Sequence, residues 1–285
     1  MEKIKVFRKI IKPFLKRGIG DKFPFRRNLF YRQLSKLAVS FLSPIVIPGN
    51  NKLYLPRNGI DYLILPYEEF AIKLMRKFLN PGDTFLDIGA GIGYHTVICS
   101  KIVGENGMVI AFEPDPDYFK FLQDNVSQNR CLNVLAYQKA VSNKTGKTRL
   151  YRYEKIGRNR LEEVNGYLAG FKMRDTVEID IVKLDEFYFL SDKKINLIKM
   201  DIEGSEYLAL SGMTSLIKRN PEIKIIVEMP DYKNLEFIRL LKKLKFEIYE
   251  INTDTKTLDY IKNTDKFMEL INARKTGTYN LFCKS

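Results

Sequence analysis

The chain has 285 residues, of which 45% are hydrophobic, and this is enough to bury a substantial core in one large domain. Its formal net charge of +14 favours anionic partners. No run of about 18 apolar residues occurs, which argues against a membrane-spanning helix. Cys99, Cys131 and Cys283 have neither the number nor the spacing of a disulfide framework or a zinc site. Together with the lack of a recognisable signal peptide, this predicts a cytoplasmic protein.

Basic residues far outnumber acidic ones between residues 1 and 36. Apolar residues recur among them at helical spacing, so this segment predicts a basic amphipathic helix interrupted near Pro13. Such a helix either lies on an anionic membrane surface or packs on its own domain with a solvated basic face. We therefore divide the chain into a basic arm, residues 1–49, and a main domain, residues 50–285. On the membrane hypothesis the protein is peripheral on the inner face.

Strand and helix patterns alternate through the main domain. Strands are predicted near 84–88, 108–113, 133–137, 195–201, 223–228, 245–250 and 279–284, and helices near 92–102, 116–128, 204–218 and 233–243. This alternation predicts an α/β fold with a seven-stranded, mostly parallel sheet whose ligand site lies at the C-terminal strand ends. Two short strands at 52–56 and 62–65 around a turn, and a helix at 68–79, predict an N-terminal helical and hairpin appendage.

The first strand of the sheet runs into an acid–glycine turn, Asp87-Ile88-Gly89-Ala90-Gly91-Ile92-Gly93. Glycine is needed where the backbone takes a positive φ or approaches a ligand closely, and the following helix start offers backbone amides to that ligand. Glu113, at the tip of the second strand, is placed to accept hydrogen bonds from ribose hydroxyls. A dinucleotide and S-adenosylmethionine both fit this pattern. The Asp87 carboxylate would repel a pyrophosphate but suits a cationic methionine end, so S-adenosylmethionine is the predicted cofactor.

A second acidic motif follows the fourth strand of the sheet, where Asp201 ends the strand and Glu203 opens the next helix. Asp201 is predicted to face the glycine turn, where a carboxylate can take a proton from an acceptor hydroxyl or hold it in line for attack. Glu203 is a second catalytic candidate, or else a helix cap. His95, at the start of a helix, is a candidate base or a packing residue. Asp201 and Glu228 alone are a poor cation site, so we predict no metal.

The alternation is interrupted between residues 142 and 189, a segment that we call the insertion. Strands are predicted at 148–153 and 176–183, with a polar stretch between them. We interpret residues 156–174 as a lid over the ligand site, the alternative being an ordinary surface loop. The basic residues of this lid favour an anionic acceptor, and they are Arg158, Arg160, Lys172 and Arg174.

Taken together, these motifs resemble the FkbM-type family of S-adenosylmethionine-dependent methyltransferases over roughly residues 50–284. The resemblance is carried by the Asp61 turn, Asp87 to Tyr94, Ala111-Phe112-Glu113-Pro114, Asn125, Ala140, Leu184-Asp185 and Ile198 to Glu206. It implies a class I (Rossmann-like) methyltransferase fold and methyl transfer to oxygen, often on a sugar, glycolipid-like or secondary-metabolite hydroxyl.

The resemblance also implies a donor site. By motif position, Asp87, Gly89, Gly91 and Gly93 line the methionine part, Glu113 the ribose and Ala140 the adenine edge. The predicted cofactor-binding residues also include Ala90, Pro114 and Asp201.

Three functions remain open at this point. The first is O-methylation of a glycan, a glycolipid or a related small molecule. The second is methylation of an RNA ribose, which the basic charge favours although no recognisable RNA-binding module accompanies it. The third is a non-catalytic S-adenosylmethionine-binding module. The chain lacks the Asn/Asp-Pro-Pro-aromatic turn of enzymes that methylate exocyclic base amines, since Asp201-Ile202-Glu203-Gly204 occupies that place.

Overall fold

The computed structural model describes residues 29–57, 59, 69–153, 159–161, 167–168, 171–230, 235–273 and 278–285. The amphipathic helix predicted for the first part of the arm, the strand predicted at 62–65 and much of the lid lie outside the described residues. Within the described ranges, no helix combines the length and the apolar character that crossing a bilayer requires.

The elements alternate along the described chain. The helices are α1 (Leu29–Leu42), α2 (Glu69–Phe78), α3 (Tyr94–Val103), α4 (Pro116–Gln128), α5 (Glu206–Ser211), α6 (Thr214–Arg219), α7 (Leu235–Lys243) and α8 (Thr264–Ala273). The strands are β1 (Ile45–Ile47), β2 (Asn51–Leu53), β3 (Thr84–Ile88), β4 (Met108–Phe112), β5 (Val134–Tyr137), β6 (Ala140–Val141), β7 (Gly146–Tyr153), β8 (Tyr167–Leu168), β9 (Phe171–Val182), β10 (Leu197–Asp201), β11 (Lys224–Pro230), β12 (Glu247–Asn252), β13 (Thr257–Tyr260) and β14 (Thr278–Lys284).

The centre of the fold is an eight-stranded sheet with the order β13-β12-β14-β11-β10-β3-β4-β5. The five strands from β11 to β5 pair in parallel, whereas β14 runs antiparallel to β11 and β12. The seven predicted strands are all present, so the mostly parallel α/β class is confirmed. The eighth strand, β13, pairs antiparallel with β12 at the edge. The residues of β13 are too polar for a strand to be predicted from the sequence, because this edge strand is largely exposed.

Helices cover both faces of this sheet, which explains why its inner strands are mostly apolar, with Asp87 and Lys199 as buried exceptions. Along β3, Phe85 packs in a cluster with α2 and α3, whereas Leu86 and Ile88 pack in a cluster with α5, α6 and α7. Successive side chains therefore point to opposite covered faces. The helix predicted at 204–218 is two short helices, α5 and α6, which meet near Gly212, where a Cβ would lie 2.0 Å from the Ser142 carbonyl oxygen.

The segment before the sheet packs against its helices. Strand β2 pairs with β1, and Ala38, Val39 and Ile45 join the apolar cluster around α3. The Asn125 side chain on α4 accepts from the Tyr54 amide at 2.7 Å and donates to the Ile92 carbonyl at 2.8 Å. Residues 38–47, which belong to the predicted arm, thus contribute to the core of the main domain.

The insertion forms a small second sheet. Strand β9 pairs antiparallel with β7, parallel with β6 and antiparallel with the short β8. The two predicted strands correspond to β7 and β9, although β9 begins earlier, at Phe171. This sheet places residues 159–161, which follow β7, beside the carboxyl ends of the main-sheet strands.

Candidate active site

A cleft opens at the carboxyl ends of β3, β4 and β10. The empty space within it, which includes open solvent, is about 950 Å³. The chain passes from β3 outward to β4 and β5 and later returns to place β10 on the other side of β3. The cleft thus lies at the topological switch point, where open α/β sheets bind their ligands.

The glycine turn forms the floor of the cleft. Gly89, Gly91 and Gly93 have φ values of 83°, 56° and 89°, in the left-handed region. A Cβ on Gly89 would lie 2.0 Å from the Asp201 carbonyl oxygen, so a side chain there would push β3 and β10 apart. A Cβ on Gly93 would lie 2.8 Å from Leu122 Cδ1. Gly89 and Gly93 are therefore needed for packing as well as for conformation.

Glu113 holds the turn from the side of β4. Its Oε2 accepts from the Gly91 amide at 2.7 Å and its Oε1 from the Asp115 amide at 2.9 Å. Burial raises the pKa of Glu113 to about 8, although the two backbone hydrogen bonds oppose this rise. Each carboxylate oxygen can accept a second hydrogen bond, so the residue retains acceptor capacity for a ligand's hydroxyls.

Asp201 lies at the tip of β10, facing the glycine turn. Its side chain is 24% exposed, and its Oδ2 lies 3.5 Å from Nζ of the buried Lys199. Lys199 is on the same strand face, as the alternation predicts, and its charge compensates that of Asp201. The arrangement presents a carboxylate to the cleft while its counter-ion stays inside the protein.

The turn after β10 carries two further carboxylates. Glu203 has a φ of 54°, a left-handed conformation that is strained for a non-glycine residue, and its side chain lines the cleft. Glu206 is fully buried, and its Oε1 accepts from the Gly204 amide at 2.9 Å. Burial, followed by the nearby charges of Asp201 and Glu203, raises the pKa of Glu206 to about 7. The sequence pattern alone did not indicate that Glu206 is a buried titrating group.

The insertion supplies the opposite wall through Asn159, Arg160 and Leu161. Nδ2 of Asn159 donates to Oδ2 of Asp115 at 2.7 Å, and Nη2 of Arg160 lies 3.6 Å from Oε2 of Glu203. Asp115 is also the cap of α4, accepting from the Asp117 amide at 2.7 Å. Its Asp-Pro-Asp context is a capping signal that could have indicated this buried position.

The four basic residues predicted for the lid separate in the structure. Arg160 lines the cleft, whereas Arg174 is exposed and pairs with Asp117 at 3.0 Å. Arg158 and the side chain of Lys172 lie outside what the structure describes. Lys139 lines the cleft instead, paired with Asp180 at 2.9 Å.

Most of the predicted site residues meet in this cleft. Those that line it are Gly89, Ala90, Gly91, His95, Glu113, Pro114, Ala140, Asp201 and Glu203. Asp87 and Gly93 lie behind the lining: Asp87 is buried, and its Oδ2 accepts from Oγ1 of Thr96 at 2.5 Å. Among the described residues, no group of three or more His, Cys, Asp or Glu side chains is arranged to hold a metal ion.

Comparison with known proteins shows which family the chain matches. A family model described as the methyltransferase FkbM domain matches residues 87–251. The hexuronic acid methyltransferase AglP of Haloferax volcanii is 29% identical over 189 residues, which are 66% of this chain and 74% of that protein. Methyltransferase 1 of Beauveria bassiana is 27% identical over 150 residues, covering 47% of this chain and 59% of that protein.

Among solved structures, a precorrin-6y C5,15-methyltransferase from Geobacter metallireducens aligns with a TM-score of 0.45 and 14% identity, covering 78% of this chain and 91% of that one. The family match includes the acid–glycine turn, Glu113 and the Asp201 motif, and it spans more than half of the chain. The chain therefore belongs to the FkbM methyltransferase family, and it is an S-adenosylmethionine-dependent methyltransferase, as predicted.

Proposed function

We propose that this enzyme transfers a methyl group from S-adenosylmethionine to a hydroxyl oxygen of a sugar-bearing acceptor, such as a glycan, a glycolipid or a related small molecule. The observation that carries the proposal is the meeting of Glu113, the glycine turn and the partly exposed Asp201 carboxylate in one cleft. The similarity to a hexuronic acid methyltransferase supports the sugar class of the acceptor.

The donor side of the cleft fits this cofactor. We assign Glu113 to the ribose hydroxyls, because it is a buried acceptor fixed by two backbone amides. The backbone of Gly89, Ala90 and Gly91 would hold the methionine part, with Asp87 behind it supplying negative charge. Pro114 and Ala140 would contact the adenine edge. When bound, the donor supplies a sulfonium-activated methyl group.

We assign Asp201 to the acceptor hydroxyl. As the oxygen–methyl bond forms and the sulfur–methyl bond breaks, the bonding pair passes to sulfur and the hydroxyl proton passes to Asp201. Lys199 holds the carboxylate in place, so its orientation is set before the acceptor arrives. Glu203 and His95 line the same cleft and are the alternative proton acceptors.

The acceptor class can be tested with isotopically labelled donor and a cell extract divided into glycolipid, small-molecule and RNA fractions. The proposal expects label in a sugar-bearing fraction. Label in RNA alone would favour the second hypothesis, RNA ribose methylation, which the net charge of +14 suggests. Donor binding with no transfer to any fraction would favour a non-catalytic module.

We further propose that the protein acts on the inner face of the cytoplasmic membrane, with residues 1–36 as the contact. The residues that follow this region include exposed apolar side chains, which are Leu37 and Phe41 on α1 and Val46 on β1. Exposed apolar side chains next to a basic segment are a combination that binds anionic lipid surfaces.

A further inference from the structure

The turn between β10 and α5, residues 202–205, has an unusual backbone. Glu203 and Gly204 have φ values of 54° and 105°, so two successive residues lie in the left-handed region. A non-glycine residue persists in that region only where its surroundings enforce it. Because Glu203 also lines the cleft, the contacts that hold this turn help to set the position of a carboxylate beside the reacting groups.

The Glu206 side chain makes one of these contacts. It is fully buried at the start of α5, and its Oε1 accepts from the Gly204 amide at 2.9 Å. The same carboxyl group also accepts from the amide of Glu206 itself. One side chain therefore ties the end of the turn to the first residue of the helix, and this contact opposes any drift of the left-handed pair.

The other end of the turn is fixed by the main sheet. Asp201 is the last residue of β10 and pairs with β11. Its carbonyl oxygen packs so closely against Gly89 that a Cβ there would lie 2.0 Å away. Between this fixed point and Glu206, the side chains of Asp201, Glu203 and Ser205 line the cleft. The acceptor side thus depends on two supports, one in the sheet and one in α5.

The surroundings of Glu206 show which property of its carboxyl group is used. Burial and the charges of Asp201 and Glu203 raise its pKa to about 7, although the two amide hydrogen bonds oppose this rise. Helix α7 packs against α5 with the apolar side chains of its buried face, which are Phe237, Ile238 and Leu241. The neutral acid is therefore a major form at neutral pH, and its carbonyl oxygen still accepts from an amide. The length of the side chain and its acceptor oxygen matter more than its charge.

We infer that Glu206 is a positioning residue of the methyl-transfer step, because its hydrogen bond to the Gly204 amide fixes the turn that presents Asp201 and Glu203 to the acceptor. Glu206 is not among the described residues that line the cleft, so it acts through these two carboxylates. This inference rests on the proposed function, since it concerns the geometry of the proposed proton acceptor. Displacing such a group by about 1 Å can lower a rate by about 10²-fold.

The test separates side-chain length from charge. Glu206→Asp keeps a carboxyl group but is one methylene shorter, so it loses contact with the Gly204 amide. Glu206→Gln keeps the length and a carbonyl oxygen but cannot ionise. Transfer is measured with labelled donor and the sugar-bearing fraction of an extract. We expect the rate to fall by about 10- to 10²-fold in Glu206→Asp and to stay within about threefold of the wild type in Glu206→Gln. Calorimetry with S-adenosylhomocysteine should show a change of less than about twofold in both variants.

Hydrogen exchange gives a second measurement that needs no acceptor. In Glu206→Asp, the peptide covering residues 202–205 should exchange faster, while the peptide covering β10 should exchange as in the wild type. Circular dichroism checks that each variant folds. Glu206→Met keeps the length and removes the acceptor oxygen, so it should behave as Glu206→Asp does and replaces it if the shorter side chain prevents folding.

Asp185→Ala is the matched control. The Asp185 carboxylate also holds backbone amides, accepting from Ser215 at 2.9 Å and from Leu216 at 2.8 Å, but it is not among the described residues that line the cleft. Its loss should lower thermal stability and leave the transfer rate of the folded protein unchanged.

Three results would overturn the inference. They are a wild-type rate in folded Glu206→Asp, an equal loss of rate in Glu206→Gln and Glu206→Asp, or a loss of donor affinity that matches the loss of rate. Failure of the proposed function is a different result, in which the wild type transfers label to RNA alone. The same variants assayed on that RNA would still show whether Glu206 positions the turn.

Discussion

The two sides of the cleft are built in different ways. On the donor side, Glu113 is held by backbone amides of neighbouring turns, and the glycines are required by contacts as close as that between Gly89 and Asp201. On the acceptor side, Arg160 and Asn159 reach Glu203 and Asp115 through side-chain contacts that join segments distant in sequence. The donor side is therefore a property of the sheet, whereas the acceptor side combines Asp201 of β10 with a wall whose position depends on how the insertion docks. Substitutions on the two sides should produce separable defects.

The largest effect is expected for Asp201→Asn, which preserves shape but removes the basic oxygen. Turnover should fall by about 10²- to 10⁴-fold, the usual contribution of general base catalysis. Donor affinity should change little, because donor binding is assigned to the other side of the cleft. Steady-state transfer assays combined with calorimetry separate the two quantities. Glu203→Gln is the matched control, and full activity in Asp201→Asn would assign the proton to Glu203 or His95.

Gly91→Val should weaken donor binding, in contrast to Asp201→Asn, which should lower turnover. Gly91 has a φ of 56° and lines the cleft, so a branched side chain would be strained and would fill donor space. We expect donor affinity to fall on the order of 10²-fold, since such overpacking costs up to about 3 kcal/mol. Calorimetry with S-adenosylhomocysteine measures the loss, and circular dichroism confirms folding. Wild-type donor affinity in a folded Gly91→Val protein would show that the donor does not bind at this turn.

A smaller effect concerns pH. In the proposed donor site, ribose hydroxyls donate to the ionised form of Glu113, whose pKa is raised to about 8 by burial. Donor affinity should therefore increase as the pH rises towards about 8, by at most about tenfold per pH unit for one released proton. Glu113→Gln should bind donor more weakly and without this pH dependence. If the pH dependence of donor affinity is unchanged in Glu113→Gln, Glu113 does not bind the ribose hydroxyls.

Glu206→Gln is the control for the pH experiment, because Glu206 is also buried and its pKa is also raised, to about 7. A buried carboxyl whose folded pKa exceeds its unfolded value stabilises the protein below the unfolded pKa. That stability is lost as the pH rises through the folded pKa. Glu206→Gln should therefore flatten the fall in thermal stability between about pH 4.5 and 7. It should leave the pH dependence of donor affinity in place.

The weakest expected effect lies outside the cleft. Each basic residue near an anionic bilayer contributes about 1 kcal/mol, and this attraction is screened by salt. Phe41, which is 82% exposed on α1, should add apolar contact. In flotation with phosphatidylglycerol vesicles, the full chain should be retained at low salt and released as salt rises. Phe41→Asp should reduce retention, and Leu270→Asp, at another exposed apolar position, should not. A chain that ignores vesicles and binds RNA with a steep salt slope would contradict the membrane proposal.

Sequence reasoning was more successful for the donor side than for the acceptor side, and the reason is physical. An apolar run such as Thr84–Ile88 followed by alternating glycines has few alternative structures, so the strand, the turn and the position of Glu113 could be predicted. The split of α5 from α6 could not be predicted, because it depends on a contact between Gly212 and the distant Ser142. Strand β13 was missed, since an exposed edge strand carries no apolar alternation.

Charge alone also could not predict which basic residue of the insertion enters the cleft. Arg160 and Arg174 are both basic residues of the insertion. The β-bridge to Tyr151 directs Arg160 into the cleft, whereas the ion pair with Asp117 keeps Arg174 at the surface. In the same way, Asp87 was predicted to line the donor pocket, and the structure places it one layer behind, bonded to Thr96. Tertiary contacts decided both positions.

The central claim, methyl transfer to a sugar hydroxyl, is tested most directly by the chemical position of the transferred methyl group. The full-length enzyme would be incubated with donor carrying a deuterated methyl group and with the sugar-bearing fraction of an extract, and the products would be analysed by tandem mass spectrometry. The account predicts a labelled methyl ether on a sugar ring, formed by Asp201→Asn at a rate at least about 10²-fold lower. Label on nitrogen or on RNA ribose, or an equal yield from Asp201→Asn, would contradict it.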